Sequence, residues 1–396
     1  MAVTYVSIAL LYERSETDEM GIKLTAEKLG LDLAFIPFRK IGFCIANQAF
    51  SAKSKGNDFT KIIEDSVVVL NRAQSKNRRL QAGYLLEVLG KKTVNSSSIE
   101  FICYSKLRTL LNLWKADLPI PKTVFIPCDA KDTLKNGKLF SNEKDIADLF
   151  QQMLFLEDGI VIKPDSATHG KGMLLSNNRE ELIAHIQKTA PSIINPVGIV
   201  AQEFIDKWFF DLRIIVYKEK GKPPVCHPTA LARGGLNDFR TNTYLGNAVF
   251  AAKLPSNIID LSIKSGETLA KGEQAWVFAL DAMIKINKNK IIDEKQLKIE
   301  FNKAQTAFSP IKKIKSEKYK KDFSSWNNKL EESFSTYKLS KSYQKVKKII
   351  DDTIEKNKTK IIFHEANSCP EFWEYTRLIT GINVAIPLIK GACSLL

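Results

Sequence analysis

Little in this chain could build a cross-linked or metal-caged scaffold. Its 396 residues hold six cysteines and four histidines, scattered and with no C-x-x-C pair. That argues against a zinc site or a disulfide framework, and the thiols read as reduced cysteines of a cytoplasmic protein. No apolar run approaches the roughly eighteen residues needed to cross a bilayer, so no membrane partner is expected. The opening stretch MAVTYVSIALLYERSE is apolar but has no basic leader and no small-residue cleavage site. It reads as a first β-strand, not a signal peptide. Repeats of fixed period are also missing. What is present is ordinary for a folded chain, with 44% hydrophobic and 26% charged residues, far from disordered compositions.

Charge is uneven. The formal charge of +15 first suggests a nucleic-acid or anionic partner. Residues 285–360, however, hold 21 lysines, no arginine and 10 acidic residues, and so carry eleven of those fifteen charges. The remaining 320 residues are close to balanced. At roughly 150 residues per domain, the length predicts two or three units.

Strand and helix signals alternate over the first hundred residues. Thr4–Leu11 reads as a strand and Thr17–Leu29 as a helix with Ser15 or Thr17 as its cap and Gly30 as its stop. Val67–Arg72 reads as a buried strand, and Ser75–Leu89 as a second helix ending at Gly90. Such alternation predicts a parallel sheet covered by helices. The second unit has a helix over Leu107–Trp114, a Pro-bounded strand in LPIPKTVFIP, a helix over Asn142–Phe155, and strands over Gly159–Lys163 and Lys171–Ser176. A helix over Asn178–Thr189 is followed by the strand IVAQEFI, and DLRIIVY with PVCHPTALAR reads as a hairpin-like pair. Helix then strand fills Ile259–Ile284. KIIFHEAN is a further strand, and a closing helix is predicted within Glu374–Leu395. The expected domains are 1–95 (α/β), 96–200 and 201–396, the last interrupted by a helical insertion over 285–360.

Three constellations carry chemistry. In GIVIKPDSATHGKGM, a buried strand delivers Lys163 into a loop with Ser166, Gly170 and Gly172, whose backbone can approach an anion closely. The segment after it reads as a strand, so the loop is a flap over phosphates, or a plain hairpin, but not a phosphate loop opening a helix. Asp281 lies in an apolar strand, and Glu365 and Asn367 stand two apart and thus share a strand face. Three hard oxygen donors of this kind suit Mg²⁺, although a turn cap and a lysine partner would also explain the carboxylates. Glu203, Asp211 and Arg213 punctuate apolar strands, followed by Arg233, Arg240 and Asn242. Arginine forks suit phosphate and carboxylate, yet a solvated edge has the same pattern.

In chain order, SKLRTLLNLWKADLPIPKTVF, VIKPDSATHGKG, AQEFI with DLRIIV, ALAR with DFRTN, the Asp281 strand, and HEANSCPEF with TGINVA resemble the RimK-like carboxylate–amine ligases of the ATP-grasp fold. The resemblance covers about residues 64–284 and 359–390, and more loosely the first 63. It implies an α/β fold, with α+β character in the ATP-grasp part, preceded by an N-terminal α/β domain. It also implies that Lys106 and Lys163 hold ATP phosphates, that Glu203 and Phe204 form the hinge at adenine and ribose, and that Asp211 is a further nucleotide contact. Arg240, Thr241 and Asn242 match a segment reaching phosphate. Asp281, Glu365 and Asn367 match the Mg²⁺ ligands, for two ions or for Mn²⁺ in their place, and Arg213 and Arg233 match basic positions near the reacting groups.

Three departures stand out. Ser105 replaces an Asp before the first lysine, Glu371 replaces a Gly after the N-x-S-P pattern, and the lysine-rich segment replaces a short turn. The last is tolerable, since doubling a loop's length costs only about 0.6 kcal/mol. The implied activity joins an amine, glutamate or another amino acid, to an acidic peptide, protein or metabolite acceptor through an acyl phosphate, in a protein that can form homo-oligomers. Two other readings remain: an ATP-binding regulator without turnover, and a nucleic-acid binder using Tyr319, Phe323, Trp326, Tyr337 and Tyr343 among the lysines. The missing arginines argue against the second.

Overall fold

The computed structural model describes residues 7–14, 16–47, 49–127, 143–155, 159–166, 172–189, 198–236, 238–241, 247–286, 294–317, 319 and 322–396. Apolar runs too short for helices become β1 (Ile8–Tyr12), β2 (Ala34–Pro37), β6 (Val68–Arg72) and β7 (Lys92–Val94). They pair in parallel in the order β2-β1-β6-β7, as the alternation predicts. The connections are α1 (Thr17–Lys28), α2 (Thr60–Asp65) and α3 (Lys76–Val88), and a small antiparallel meander, β3 (Gly42–Ala46), β4 (Ala49–Ser54) and β5 (Asn57–Asp58), sits between β2 and α2. The cap of α1 differs from the expected Ser15 or Thr17. Glu16 precedes the helix and donates its backbone N–H to the Glu19 carboxylate at 3.2 Å. Gly30 and Gly90 end their helices at φ +69° and +76°, the left-handed geometry that favours glycine.

Two short helices, α4 (Ser97–Tyr104) and α5 (Lys106–Lys115), lead to a second, antiparallel sheet. Sequence patterning missed α4. The sheet comprises β8 (Thr123–Ile126), β9 (Ile160–Lys163), β10 (Leu174–Ser176) and β11 (Ile199–Glu203), ordered β10-β9-β11-β8. Its own core, including Phe150, Ile160, Ile162, Leu182 and Ile199, packs under α6 (Glu143–Met153) and α7 (Arg179–Thr189).

The third sheet is ordered β15-β14-β12-β16-β17. Its strands are β12 (Phe210–Lys218), with the short β13 (Val225–Cys226) beside it, then β14 (Thr229–Gly234), β15 (Val249–Lys253), β16 (Trp276–Ile284) and β17 (Ile361–Asn367). DLRIIVY and TALAR form the antiparallel pair expected of them, Phe210 facing Gly234 and Arg213 facing Leu231. α8 (Ser256–Ala270) precedes β16. The lysine-rich segment folds as α9 (Glu294–Ser316), α10 (Phe323–Leu339) and α11 (Lys341–Lys356). The chain closes with two helices where one was predicted, α12 (Thr376–Thr380) and α13 (Ala385–Leu395), separated by Gly381 at φ +85°. Among the described residues no helix is long and apolar enough to cross a membrane.

Candidate active site

The β9–β11 sheet and the face of β12, β14, β16 and β17 enclose a cavity. The expected residues Lys106, Lys163, Glu203, Phe204, Asp211, Arg233, Arg240, Thr241, Asp281 and Glu365 all line it. Arg213 and Asn367 line a second cavity, which shares Arg233, Asp281 and Glu365 with the first. Ser166 and Gly172 lie in the loop after β9 and line neither. Gly172 has φ +71°, and a Cβ there would meet the Pro164 ring at 2.8 Å, so this turn requires glycine. Gly170 and Asn242 lie outside the described residues.

Strand register builds the charged floor. Asp211 on β12 faces Arg233 on β14, Arg213 on β12 faces Asp281 on β16, and Asp281 faces Glu365 on β17. Cross-strand neighbours stand about 5 Å apart, within reach of an ion pair. The Arg233 fork holds Asp211 at 2.7 and 3.0 Å, and the Arg213 fork holds Asp281 at 2.9 Å through both nitrogens. Arg233 also reaches Asp281 at 3.3 Å, and the Asn367 amide donates to Asp281 at 3.4 Å. Burial pushes the Asp281 pKa up, but the two guanidiniums outweigh it and hold the carboxyl well below the usual carboxylate range. At Glu365 burial likewise opposes ionisation, and Lys106 and Lys76 overcome it. Both carboxylates are therefore anionic. Two ionised carboxylates and an amide oxygen on adjacent strands fit a hard cation that completes its shell with phosphate oxygens. Among the described residues no three His, Cys, Asp or Glu side chains form a closed metal cage, so the donor set is an open one.

The two expected phosphate lysines are linked through one loop. Asp165, two residues after Lys163, accepts the Leu107 N–H at 2.9 Å, and its carbonyl accepts the Lys106 N–H at 3.1 Å. Ser105, one of the departures, caps α5 by accepting the Arg108 N–H at 3.1 Å. Burial, with Lys106 nearby, lowers the Lys163 pKa to about 8. At the hinge, the Glu203 carboxylate accepts the Lys122 N–H at 2.8 Å and the Phe204 N–H binds the Gly159 carbonyl at 3.0 Å, which ties the strand ends together. Arg240 forks onto Asp238 at 2.6 to 3.1 Å.

Sequence reasoning missed Lys207 and His364. Lys207 donates to Thr241 Oγ1 at 2.6 Å and stands 3.9 Å from Asp211. Burial lowers its pKa to about 8 despite that carboxylate. Its position four residues before Asp211 was the available signal. His364 should point away from Glu365 by strand alternation, but β17 bulges there. Asp281 pairs with Glu365 and Ala282 with Phe363, which leaves His364 as the extra residue. It therefore lines the cavity beside Glu365, and its buried Nε2 has no hydrogen-bond partner among the described residues. Burial and Lys163 push its pKa to about 4, so the ring is neutral.

Residues 125–309 match the family model of the RimK-like ATP-grasp domain. A 209-residue stretch is 27% identical to the alpha-aminoadipate–LysW ligase LysX of Saccharolobus solfataricus, covering 52% of this chain and 67% of that protein. The corresponding ligase of Sulfolobus acidocaldarius is 26% identical over 217 residues, 54% of this chain and 69% of its own. The fold is similar to that of the ATP-grasp ligase PsnB complexed with a minimal precursor, with a TM-score of 0.53 at 9% identity over 99% of this chain and 100% of that one. It is also similar to the biotin carboxylase domain of the Hydrogenobacter thermophilus 2-oxoglutarate carboxylase with MgADP, with a TM-score of 0.55 at 9% identity over 97% of this chain and 69% of that one.

Proposed function

We propose that this chain, which carries a RimK-like ATP-grasp domain, is an ATP-dependent carboxylate–amine ligase. The observation that carries the reading is the meeting of two cavities at Arg233, Asp281 and Glu365. One side suits a nucleotide, with Lys106, Lys163 and Lys207 gathered around an apolar recess of Val161, Met173 and Ile205. The other side suits the acid to be activated. The relatives named for ligating alpha-aminoadipate and LysW support an amino acid and a peptide or protein acceptor as the substrate class, with glutamate or a similar amino acid as the amine.

An oxygen of the acceptor carboxylate attacks the γ-phosphorus, and the bond to the bridging oxygen breaks, giving an acyl phosphate and ADP. The amine then attacks the acyl carbon, phosphate departs with its oxygen, and the amine's proton passes to solvent. Such chemistry asks the protein for positioning and charge neutralisation, and no side-chain nucleophile is required. Lys106, Lys163 and Arg233 offset the charge on the phosphates. Asp281, Glu365 and Asn367 would hold Mg²⁺, two ions in our reading, which would supply Lewis-acid neutralisation of phosphate charge. Arg213 keeps Asp281 ionised and aimed.

Full-length protein with ATP, Mg²⁺ and a panel of amino acids and acid-terminated peptides is expected to release phosphate. Lys163→Ala and Glu365→Gln should each cut the rate by roughly 100-fold or more, the usual cost of losing one preorganised electrostatic contact. Unchanged release in both variants would overturn the site assignment.

A further inference from the structure

Lys76 opens α3, in the N-terminal domain, and lines the second cavity but not the first. Its ammonium is buried and makes no hydrogen bond among the described residues. Among the described residues the one carboxylate within 4 Å of it is Glu365, whose Oε1 stands 3.9 Å from Lys76 Nζ and 3.8 Å from Lys106 Nζ. A single metal-side oxygen thus has an ammonium on each flank, one from the nucleotide cavity and one from its neighbour. The placement of Lys76 is costly for the helix. The first turn of α3 holds no acidic residue, and a cation there meets the like-signed end of the helix dipole. Arg78 and Arg79 relieve their share through Glu13 and Glu100; Lys76 has no such partner at hydrogen-bond distance. Other cations around the cavity are also committed, Arg72 to Asp18 at 3.1 Å and Arg213 to Asp281. When Glu365 serves a cation, Lys76 loses the carboxylate that stands 3.9 Å from it.

We propose that Lys76 binds the carboxylate that is to be phosphorylated, so that the N-terminal domain completes the acceptor half of the site. This rests on the ligase reading. The ligand class is an organic acid presenting a free carboxylate, or the acyl phosphate made from it, entering the cavity of about 630 Å³ opposite the nucleotide. Lys76 supplies three N–H donors that burial has stripped of water, and a carboxylate arriving there exchanges no protein hydrogen bond for the new one.

Isothermal titration of the full chain loaded with Mg·ADP tests this, with glutarate, N-acetylglutamate and acetyl phosphate as probes. Wild type is expected to bind at least one of them. Lys76→Met, which keeps the apolar stem, should weaken that binding tenfold or more and Mg·ADP binding by clearly less, while Lys76→Arg stays within about threefold for both. Equal binding of the probes by wild type and Lys76→Met would overturn the inference, as would a wild type that takes Mg·ADP but none of the three acids. Equal weakening of acids and Mg·ADP in Lys76→Met would overturn it too, by placing the residue in the nucleotide half. Failure of wild type to bind Mg·ADP would instead sink the ligase reading.

Discussion

At the scale of single residues, the cavity proposed for the nucleotide stores positive charge that it holds only partly without an anion beside it. Lys163 and Lys207 are buried, and each titrates near pH 8 instead of above 10. A polyphosphate favours the charged form of both, so binding raises their pKa values and takes up protons above pH 8. The sign follows: ATP affinity is expected to fall as pH rises from about 8 to 10, because the free protein loses the ammonium charges the ligand needs. Calorimetry at pH 8.5 in buffers of different ionisation enthalpy should show proton uptake on binding, and Lys207→Met should reduce it. An affinity flat from pH 7 to 9.5 would contradict these lysines as phosphate contacts. The D-x-R spacing of Asp211 and Arg213 was legible as one strand face. Their partners were not, because Arg233 and Asp281 are brought opposite them by strand register, which is a long-range property.

At the scale of elements, most strands and helices were readable because each has a strong period or a marked end. The exceptions have physical causes. The closing helix breaks at Gly381, and α4 is only eight residues long with a cap, Ser96, that as sequence reads as a domain border. The bulge in β17 is invisible in a string of residues, yet it decides that His364 shares the cavity with Glu365. Helix α1 holds another such feature, Gly21, which as sequence looks like a simple weakness in a helix. A Cβ on Gly21 would clash with the Trp373 ring. That ring donates its N–H to Asn327 at 2.9 Å and lies beneath Arg377 at 4.0 Å, so it has little freedom to retreat. The glycine lets α1 dock on the segment that follows β17. Gly21→Ala is expected to destabilise the protein by about 1–3 kcal/mol, the usual cost of overpacking. Urea unfolding followed by tryptophan fluorescence measures it, and a loss below about 0.5 kcal/mol would mean that Trp373 can swing aside.

At the scale of the whole molecule, the lysine-rich segment is structural. The aromatics that could have stacked on bases point inward: Phe323, Trp326, Tyr337 and Tyr343 are buried, and Tyr319 packs edge-on to Phe323 and against Trp326. What they cover is the open side of the third sheet. β15 is one of its two edge strands, and a bare edge is a template for pairing with another chain. Side chains of α9, α10 and α11 occupy that edge group by group. Gln305 accepts the Ala248 N–H at 2.8 Å, the Tyr337 hydroxyl donates to the Val249 carbonyl at 3.1 Å, the Tyr343 hydroxyl accepts the Ala251 N–H at 3.1 Å, and Asp351 accepts the Lys253 N–H at 2.9 Å. Phe250 is sealed between Phe301, Tyr337 and Tyr343. Most of the described lysines then form the solvated outside of a lobe whose inside is core, with Lys315 turned in to pair with Glu374. Its composition set the segment apart and the family resemblance implied an insertion, but its role as an edge cover depends on contacts between residues about 60 to 100 positions apart. Replacing residues 287–357 with a short Gly/Ser linker is therefore expected to leave an exposed strand and a stranded Phe250, and to give an aggregating protein by size-exclusion chromatography. The milder Tyr337→Phe with Tyr343→Phe, which removes only the two edge hydroxyls, should stay folded and lose about 1–3 kcal/mol in total at roughly 1 kcal/mol or somewhat more per buried hydrogen bond. A monomeric deletion variant with unaltered ATP affinity would show the lobe to be dispensable, and the lysines would then need another explanation.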